Sequence, residues 1–314
     1  MIVTCGEALV DLVPEKVGTD TVYRPVLGGS LYNVALGVAR LGGRVAYLWE
    51  LSSDALGQRL LAALSGDGVE VSPVRLAGRA TPVAVVDLSG PEPRYAIADP
   101  DLVMVDTVPP PLPAGAACLV VGSAVLAREP VAGAIEERAG EAPFVAIDYN
   151  VRPPSIRDLS AYRARLVRLS RCGGIVKASE ADLELLGEGD PERFMAALAR
   201  EGAALAVLTL GARGAVAWSA CGAREAVPSL ARRVVDPVGA GDAFMAGLLA
   251  WLQRRDSLSH EALGTLGPEG LRELLSYAQG VAAATCASRG AVMPFARDLP
   301  TMAGASTLVH DRAG

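Results

Sequence analysis

Apolar positions along the chain fall into short Val/Ile/Ala/Leu runs, separated by longer stretches in which they recur every third or fourth residue. Short continuous runs bounded by turn residues predict strands buried on both faces, and the longer period predicts helices that cover them. Strands are expected at Ile2–Cys5, Val45–Leu48, Ala117–Val121, Phe144–Asp148, Gly174–Lys177, Ala206–Leu210 and Gly214–Trp218. Helices are expected at Leu31–Leu41, Ala55–Leu64, Val131–Ala139, Ala181–Leu186, Glu192–Glu201, Asp242–Leu252 and Leu271–Ser288. Strands alternating with helices predict an α/β fold, a parallel sheet covered by helices.

The alternation breaks twice, between Asp11 and Gly28 and between Thr81 and Ala98. There Val22–Arg24, Pro82–Leu88 and Arg94–Ile97 read as strands with no helix between them, either an antiparallel edge of the main sheet or a separate small sheet. Pro109–Pro113 reads as a stiff connector, and the small, polar tail Thr301–Gly314 is expected to fray. No fixed-period repeat is present.

Composition narrows the function. With 51% hydrophobic and 20% charged residues, the 314-residue chain has ample material for a core, in one large α/β domain or two smaller ones. A formal charge of −6 argues against non-specific binding to nucleic acid or to an anionic membrane. Cys5, Cys118, Cys172, Cys221 and Cys286 are scattered and form no C-x-x-C pair, so they read as reduced thiols and not as zinc ligands. His260 and His310 are the only histidines, which disfavours a His-based triad. The N-terminus runs straight into a strand, so neither a signal peptide nor a membrane span is expected, and a cytoplasmic location is.

The stretch with most chemistry is Val234–Leu249, read as a two-valine strand end, a Gly239-Ala240-Gly241 turn and an apolar helix. Such a turn exposes successive N–H groups where the helix dipole is positive, which suits an anion. Asp242 would repel that anion, unless it takes the proton from a hydroxyl that attacks it. The simpler reading is a capped helix. No Gly-Lys-Ser/Thr follows, so this is not a Walker A loop, and Phe244 stands where a dinucleotide fingerprint needs its third glycine.

Other stretches are open to two readings. Asp11 is expected near the C-terminal edge of the first strand, where a carboxylate can accept two hydroxyl hydrogen bonds, as suits a polyol, or simply sit in solvent. Gly28-Gly29 leads into a helix carrying Asn33, either a plain turn or a close ligand approach. Tyr32 packs in the core or stacks on a substrate, with packing favoured. Ser179 and its following acids read as a helix cap, and Thr209–Gly214 as a hairpin turn.

Asp236-Pro237-Val238-Gly239-Ala240-Gly241-Asp242-Ala243-Phe244 resembles the C-terminal signature of the ribokinase-like (PfkB) carbohydrate kinases. Gly28–Asn33 is similar to their Gly-Gly-x-x-x-Asn, Gly6–Asp11 to fructokinase-type members, and Asp148–Pro153 to the Asp-x-Asn-x-Arg-Pro of fructokinase and ketodeoxygluconate kinase members. The resemblance implies a three-layer α/β/α Rossmann-like kinase domain over residues 1–300, with a small β lid from about 12–28 and 81–98 that also forms a homodimer. It implies ATP-dependent phosphorylation of a free sugar, fructose first, with Asp242 as base and Gly239, Ala240 and Gly241 as the anion hole.

Under the same resemblance Asp11, Gly28, Gly29, Asn33 and Arg152 meet the sugar, and Lys177, Ser179, Thr209, Gly211 and Gly214 the nucleotide. Asp182, or Glu180, would order Mg²⁺-bound water, Asp148 would influence the same shell, and Asp236 would help hold a monovalent cation such as K⁺. Ala287–Ala291 resembles the segment bordering adenine. Ser30 stands where ribokinase and phosphofructokinase relatives carry Lys, which favours an unphosphorylated sugar. A ketodeoxygluconate kinase, a ribokinase, a nucleoside kinase and a sugar-binding regulator are the alternatives.

Overall fold

A computed structural model describes residues 1–87, 89, 94–97, 108–172 and 174–299. The first part of the chain forms β1 (Ile2–Thr4), β2 (Leu9–Val17), β3 (Asp20–Gly28), α1 (Ser30–Arg40), β4 (Val45–Tyr47), β5 (Glu50–Ser52) and α2 (Ala55–Gly66). Then come β6 (Arg75–Ala77), β7 (Val83–Asp87), β8 (Arg94–Ile97), β9 (Cys118–Gly122), α3 (Val131–Glu141), β10 (Val145–Asp148) and α4 (Leu159–Arg171). The last part forms β11 (Ile175–Ser179), α5 (Glu180–Leu185), α6 (Pro191–Arg200), β12 (Leu205–Thr209), β13 (Ala215–Ser219), β14 (Arg224–Val227), α7 (Ala240–Arg254), α8 (His260–Gly264) and α9 (Pro268–Cys286).

The central sheet has eight strands in the order β14-β13-β12-β11-β10-β9-β1-β4. Pairing is parallel from β4 to β12 and antiparallel for β13 and β14. The parallel strands are apolar at nearly every position because helices cover both faces. Among the helices α1, α7 and α9 pack on one another. Gly37 allows the α1–α7 approach, since a Cβ there would lie 2.6 Å from the Ala246 Cβ. The two ambiguous segments form a sheet of their own, β3-β2-β7-β8, antiparallel at both hairpins and parallel where β2 meets β7.

Every predicted strand and helix of the central layers forms, with ends shifted by a few residues. Two local expectations are corrected, and one helix is added. Val234 and Val235 do not end a strand; they are exposed in a loop that hangs on the Cys286 carbonyl through the Val235 and Asp236 N–H groups. Asp11 does not follow β1. The chain has already crossed to the small sheet, and Asp11 is the third residue of β2. Helix α4 was not anticipated, because its arginines dilute the apolar positions Tyr162, Leu166 and Leu169. Arg165 on its buried side is neutralised by Glu136 at 2.9 Å and by Glu129. Leu88, the 98–107 segment and the expected tail 301–314 lie outside the described residues. Among the described residues no helix is long and apolar enough to cross a membrane.

Candidate active site

Helix α7 begins beside Lys177 of β11, and its third residue, Asp242, is buried. Two aimed donors hold the carboxylate: Ser30 Oγ donates to Oδ1 at 2.7 Å and Asn33 Nδ2 donates to Oδ2 at 2.8 Å. Both donors lie on the first turn of α1, so the Gly28-Gly29 turn sets their position. Gly29 has φ +115, and a Cβ there would lie 2.3 Å from the Glu7 carbonyl oxygen, so no other residue fits. Burial pushes the Asp242 pKa up, while Asn33, Ser30, Arg152 and Lys177 pull it back. Asn33, expected on the sugar, is thus engaged with the base candidate. Asp242 does not cap its own helix, because Gly239 occupies the N-cap position with no side-chain bond.

The glycine turn departs from the expected set of three donors at one position. Gly239 is left-handed at φ +79, with Ala291 packed where its Cβ would be. The Ala240 N–H turns back to the Pro237 carbonyl at 3.1 Å, which removes it from the set of donors. Gly241 and Asp242 follow at the first turn, where N–H groups lack intrahelical acceptors. A Cβ on Gly241 would lie 3.5 Å from Lys177 Nζ, so a buried ammonium stands beside the turn. That ammonium is held by both Asp148 oxygens at 2.8 Å. Burial raises the Asp148 pKa against the pull of Lys177.

The remaining candidates surround this centre. Asp11 projects from β2 beside Gly28, and burial raises its pKa to about 6, with Arg152 lowering it and Asp242 raising it. Arg152 is exposed in the loop after β10 and acts electrostatically on Asp11, Asp242 and Glu7. Between the small sheet and the 235–238 and 289–291 segments runs a cleft of about 630 Å³, lined by Asp11, Val13, Lys16, Arg24, Asp236 and Arg289 among others.

Ser179 and Asp182 form a reciprocal capping box, with Asp182 also accepting the Val151 N–H at 2.7 Å. Glu180 pairs with Arg213 and ties α5 to the Gly211–Gly214 turn, while Thr209 ends β12 next to it. Asp236 accepts N–H groups from Val238 at 3.0 Å and Gly290 at 2.8 Å. Among the described residues no three or more His, Cys, Asp or Glu side chains converge as a metal cage. Tyr32 is in the core, its hydroxyl on the Leu60 carbonyl and its ring edge-on to Tyr47.

Two residues at this centre were not assigned from the sequence. Ser30 was read only as a missing cation, and Asn150 went without a role. Asn150 Nδ2 donates to Ser30 Oγ at 2.7 Å, from a backbone held at φ +39. An Asn in the left-handed region at the end of a buried strand marks a functional site, but the sequence does not display φ.

The sequence profile described as pfkB family carbohydrate kinase matches residues 1–297. The chain belongs to this family. Similar pfkB kinases include a fructokinase of Rhizobium leguminosarum bv. trifolii, 33% identical over 280 residues that cover 87% of this chain and 86% of that protein. The structure of a fructokinase with bound ATP from Xylella fastidiosa matches with a TM-score of 0.81 at 26% identity, covering 95% of this chain and 96% of its own. A fructokinase from Vibrio cholerae O395, in fructose, ADP and calcium ion bound form, matches with a TM-score of 0.76 at 26% identity over 92% and 94%. The pfkB chain described here is therefore a sugar kinase with the ribokinase-like fold.

Proposed function

We propose that this kinase transfers the terminal phosphoryl group of ATP to a hydroxyl of an unphosphorylated sugar, fructose first among them. The observation that carries the reading is the buried Asp242 carboxylate, oriented by Ser30 and Asn33 at the first turn of α7 beside the glycine turn. Fructokinases among the relatives, one of them solved with fructose and ADP, support the choice of sugar. Ser30, where a lysine would welcome a second phosphate, supports a free sugar.

In the proposed step the sugar oxygen bonds to the γ-phosphorus as the bond from that phosphorus to the β,γ-bridging oxygen breaks. The hydroxyl proton passes to Asp242, and ADP leaves. Amides at Gly241 and Asp242, with the Lys177 ammonium near by, offset charge on the moving group. Asp11, Gly28, Gly29 and Arg152 are proposed to hold the sugar, and the small sheet to close over it and exclude water. Lys177 acts from beneath the turn, while Ser179, Thr209, Gly211 and Gly214 line the nucleotide side.

A Mg²⁺ carried by the nucleotide would neutralise phosphate charge. Magnesium on ATP asks for only one or two protein carboxylates. Asp182 is already bonded to Ser179 and Val151, so it fits contact through water, as does the half-buried Glu180. Asp236 is the proposed neighbour of a K⁺ ion.

The test is ADP release with Mg·ATP against fructose, ribose, ketodeoxygluconate, a nucleoside and fructose 6-phosphate, with K⁺ exchanged for Na⁺ in a parallel series. Turnover on fructose is expected to dominate. Asp242→Asn is expected to lower kcat about 10²-fold or more, with sugar affinity largely kept. Near-parental turnover of that variant would remove Asp242 from the base role.

A further inference from the structure

The reading of Asp242 as base leaves open what keeps it ionised in a dry site. The hydrogen-bond chain behind it has a direction. A carboxylate only accepts, so the Ser30 hydroxyl must spend its single proton on Asp242 Oδ1. Its lone pairs are then what Asn150 meets, so the amide end facing Ser30 at 2.7 Å must be the NH₂ group. Asn150 thereby stops the hydroxyl from turning away and fixes the donor on Asp242. The three residues come from the loop after β10, the start of α1 and the start of α7, so the chain of bonds is a tertiary feature. It is built at a cost, because Asn150 is held at φ +39, a conformation that only Gly, Asn and Asp adopt readily.

We infer that Asn150 and Ser30 form a directional relay that positions the base: Asn150 sets the Ser30 hydroxyl, and Ser30 keeps Asp242 anionic and aimed until the sugar proton arrives. The inference rests on Asp242 being the base. Neither residue reacts. Both are positioning residues, and their effect is read in the ionisation of Asp242. The other groups that act on Asp242 are Asn33 from α1, Arg152 after β10, Lys177 on β11, Asp148 on β10, Asp11 on β2 and Glu7 after β1. All of these side chains are kept in the Asn150 variants.

Asn150→Asp is the sharpest variant, because Asp tolerates the same backbone and differs in accepting where Asn donates and in carrying a charge. It would draw the Ser30 proton to itself and leave a lone pair and an added charge facing Asp242. The acid limb of the kcat/KM–pH profile on fructose is expected to move up by about one pH unit or more, the scale of one hydrogen bond to a charged group. Activity below neutral pH should fall at least about tenfold and recover as pH rises. Asn150→Gly should shift the limb the same way by less. Ser30→Ala should shift it like Asn150→Asp, and the two changes together should cost less than their sum.

A parental acid limb in folded Asn150→Asp overturns the relay, as does a change confined to the sugar KM, which would make Asn150 a substrate contact. Should Asn150→Asp fail to fold, Ser30→Ala carries the same test. Asp242→Asn, run alongside, separates the two ideas: if it keeps its turnover the base reading fails, whatever the Asn150 variants do.

Discussion

Two buried carboxylates at the same sheet edge are treated in opposite ways. Asp242 receives two side-chain donors, one on each oxygen. Glu7, in the connection after β1, has Oε2 buried without a partner. Burial raises the Glu7 pKa to about 7, against the pull of its own backbone, Ser123 and Arg152, and Asp242 raises it further. Folding therefore keeps Glu7 protonated where the unfolded chain, with an ordinary value of 4.5, has ionised. Below 4.5 both states hold the proton and nothing is lost; stability falls as pH rises from 4.5 towards 7. Glu7→Gln cannot titrate. Its stability relative to the parent should climb across that window, by up to about 3 kcal/mol, and then level off. Urea melts of both proteins at pH 4.5, 6 and 8 measure this; a constant difference would mean that Glu7 does not titrate on folding. At this scale the Gly239–Asp242 motif was legible because its residues are contiguous. The Asn150–Ser30–Asp242 chain was not, since it joins three distant segments.

Among the elements, the glycine turn and α7 act as one part. Gly239 must be left-handed, and the Ala291 Cβ lies 2.5 Å from where a Gly239 Cβ would stand. Gly239→Ala thus combines strain with a clash against the 289–291 segment. It should cost roughly 1–3 kcal/mol of stability from strain alone and lower kcat more than tenfold, by rotating the amides away from the proposed phosphate position. Thermal melts and steady-state kinetics on one preparation test it, and a variant stable and active at parental levels would show that the turn has slack. Element-scale reading of the sequence worked where burial is two-sided, as in β9 to β12, because apolar residues fill nearly every position there. It failed at α4, whose buried arginine is neutralised by acids outside its own helix. It failed too at Val234–Val235, where two β-branched residues lie exposed in a loop. Neighbours decide such cases, and a local pattern does not contain them.

At the scale of the whole molecule, the small sheet is the part whose packing is incomplete. Four strands need a covered face to be stable in water. One face borders the cleft through Asp11, Val13, Arg24 and Val26. Strand β3 lies at the edge of the sheet and is exposed along most of its length, with Val22 at 42% and Tyr23 at 50% exposure. Exposed apolar edge strands invite a further strand. The proposal is that a second copy of the chain supplies it, so that the small sheet closes the cleft and joins the dimer at once. Tyr23→Glu would put a charge in that contact without touching Asp242. The parent is expected to run as a dimer in light-scattering chromatography, and Tyr23→Glu as a monomer. If the dimer supports the cleft, the variant's sugar KM should rise several-fold while kcat changes little, because Asp242, the proposed base, and its donors belong to α7 and α1. A monomeric parent at assay concentrations would sink the dimer. A dimeric parent whose Tyr23→Glu variant keeps its KM would leave the dimer standing and free the cleft from it.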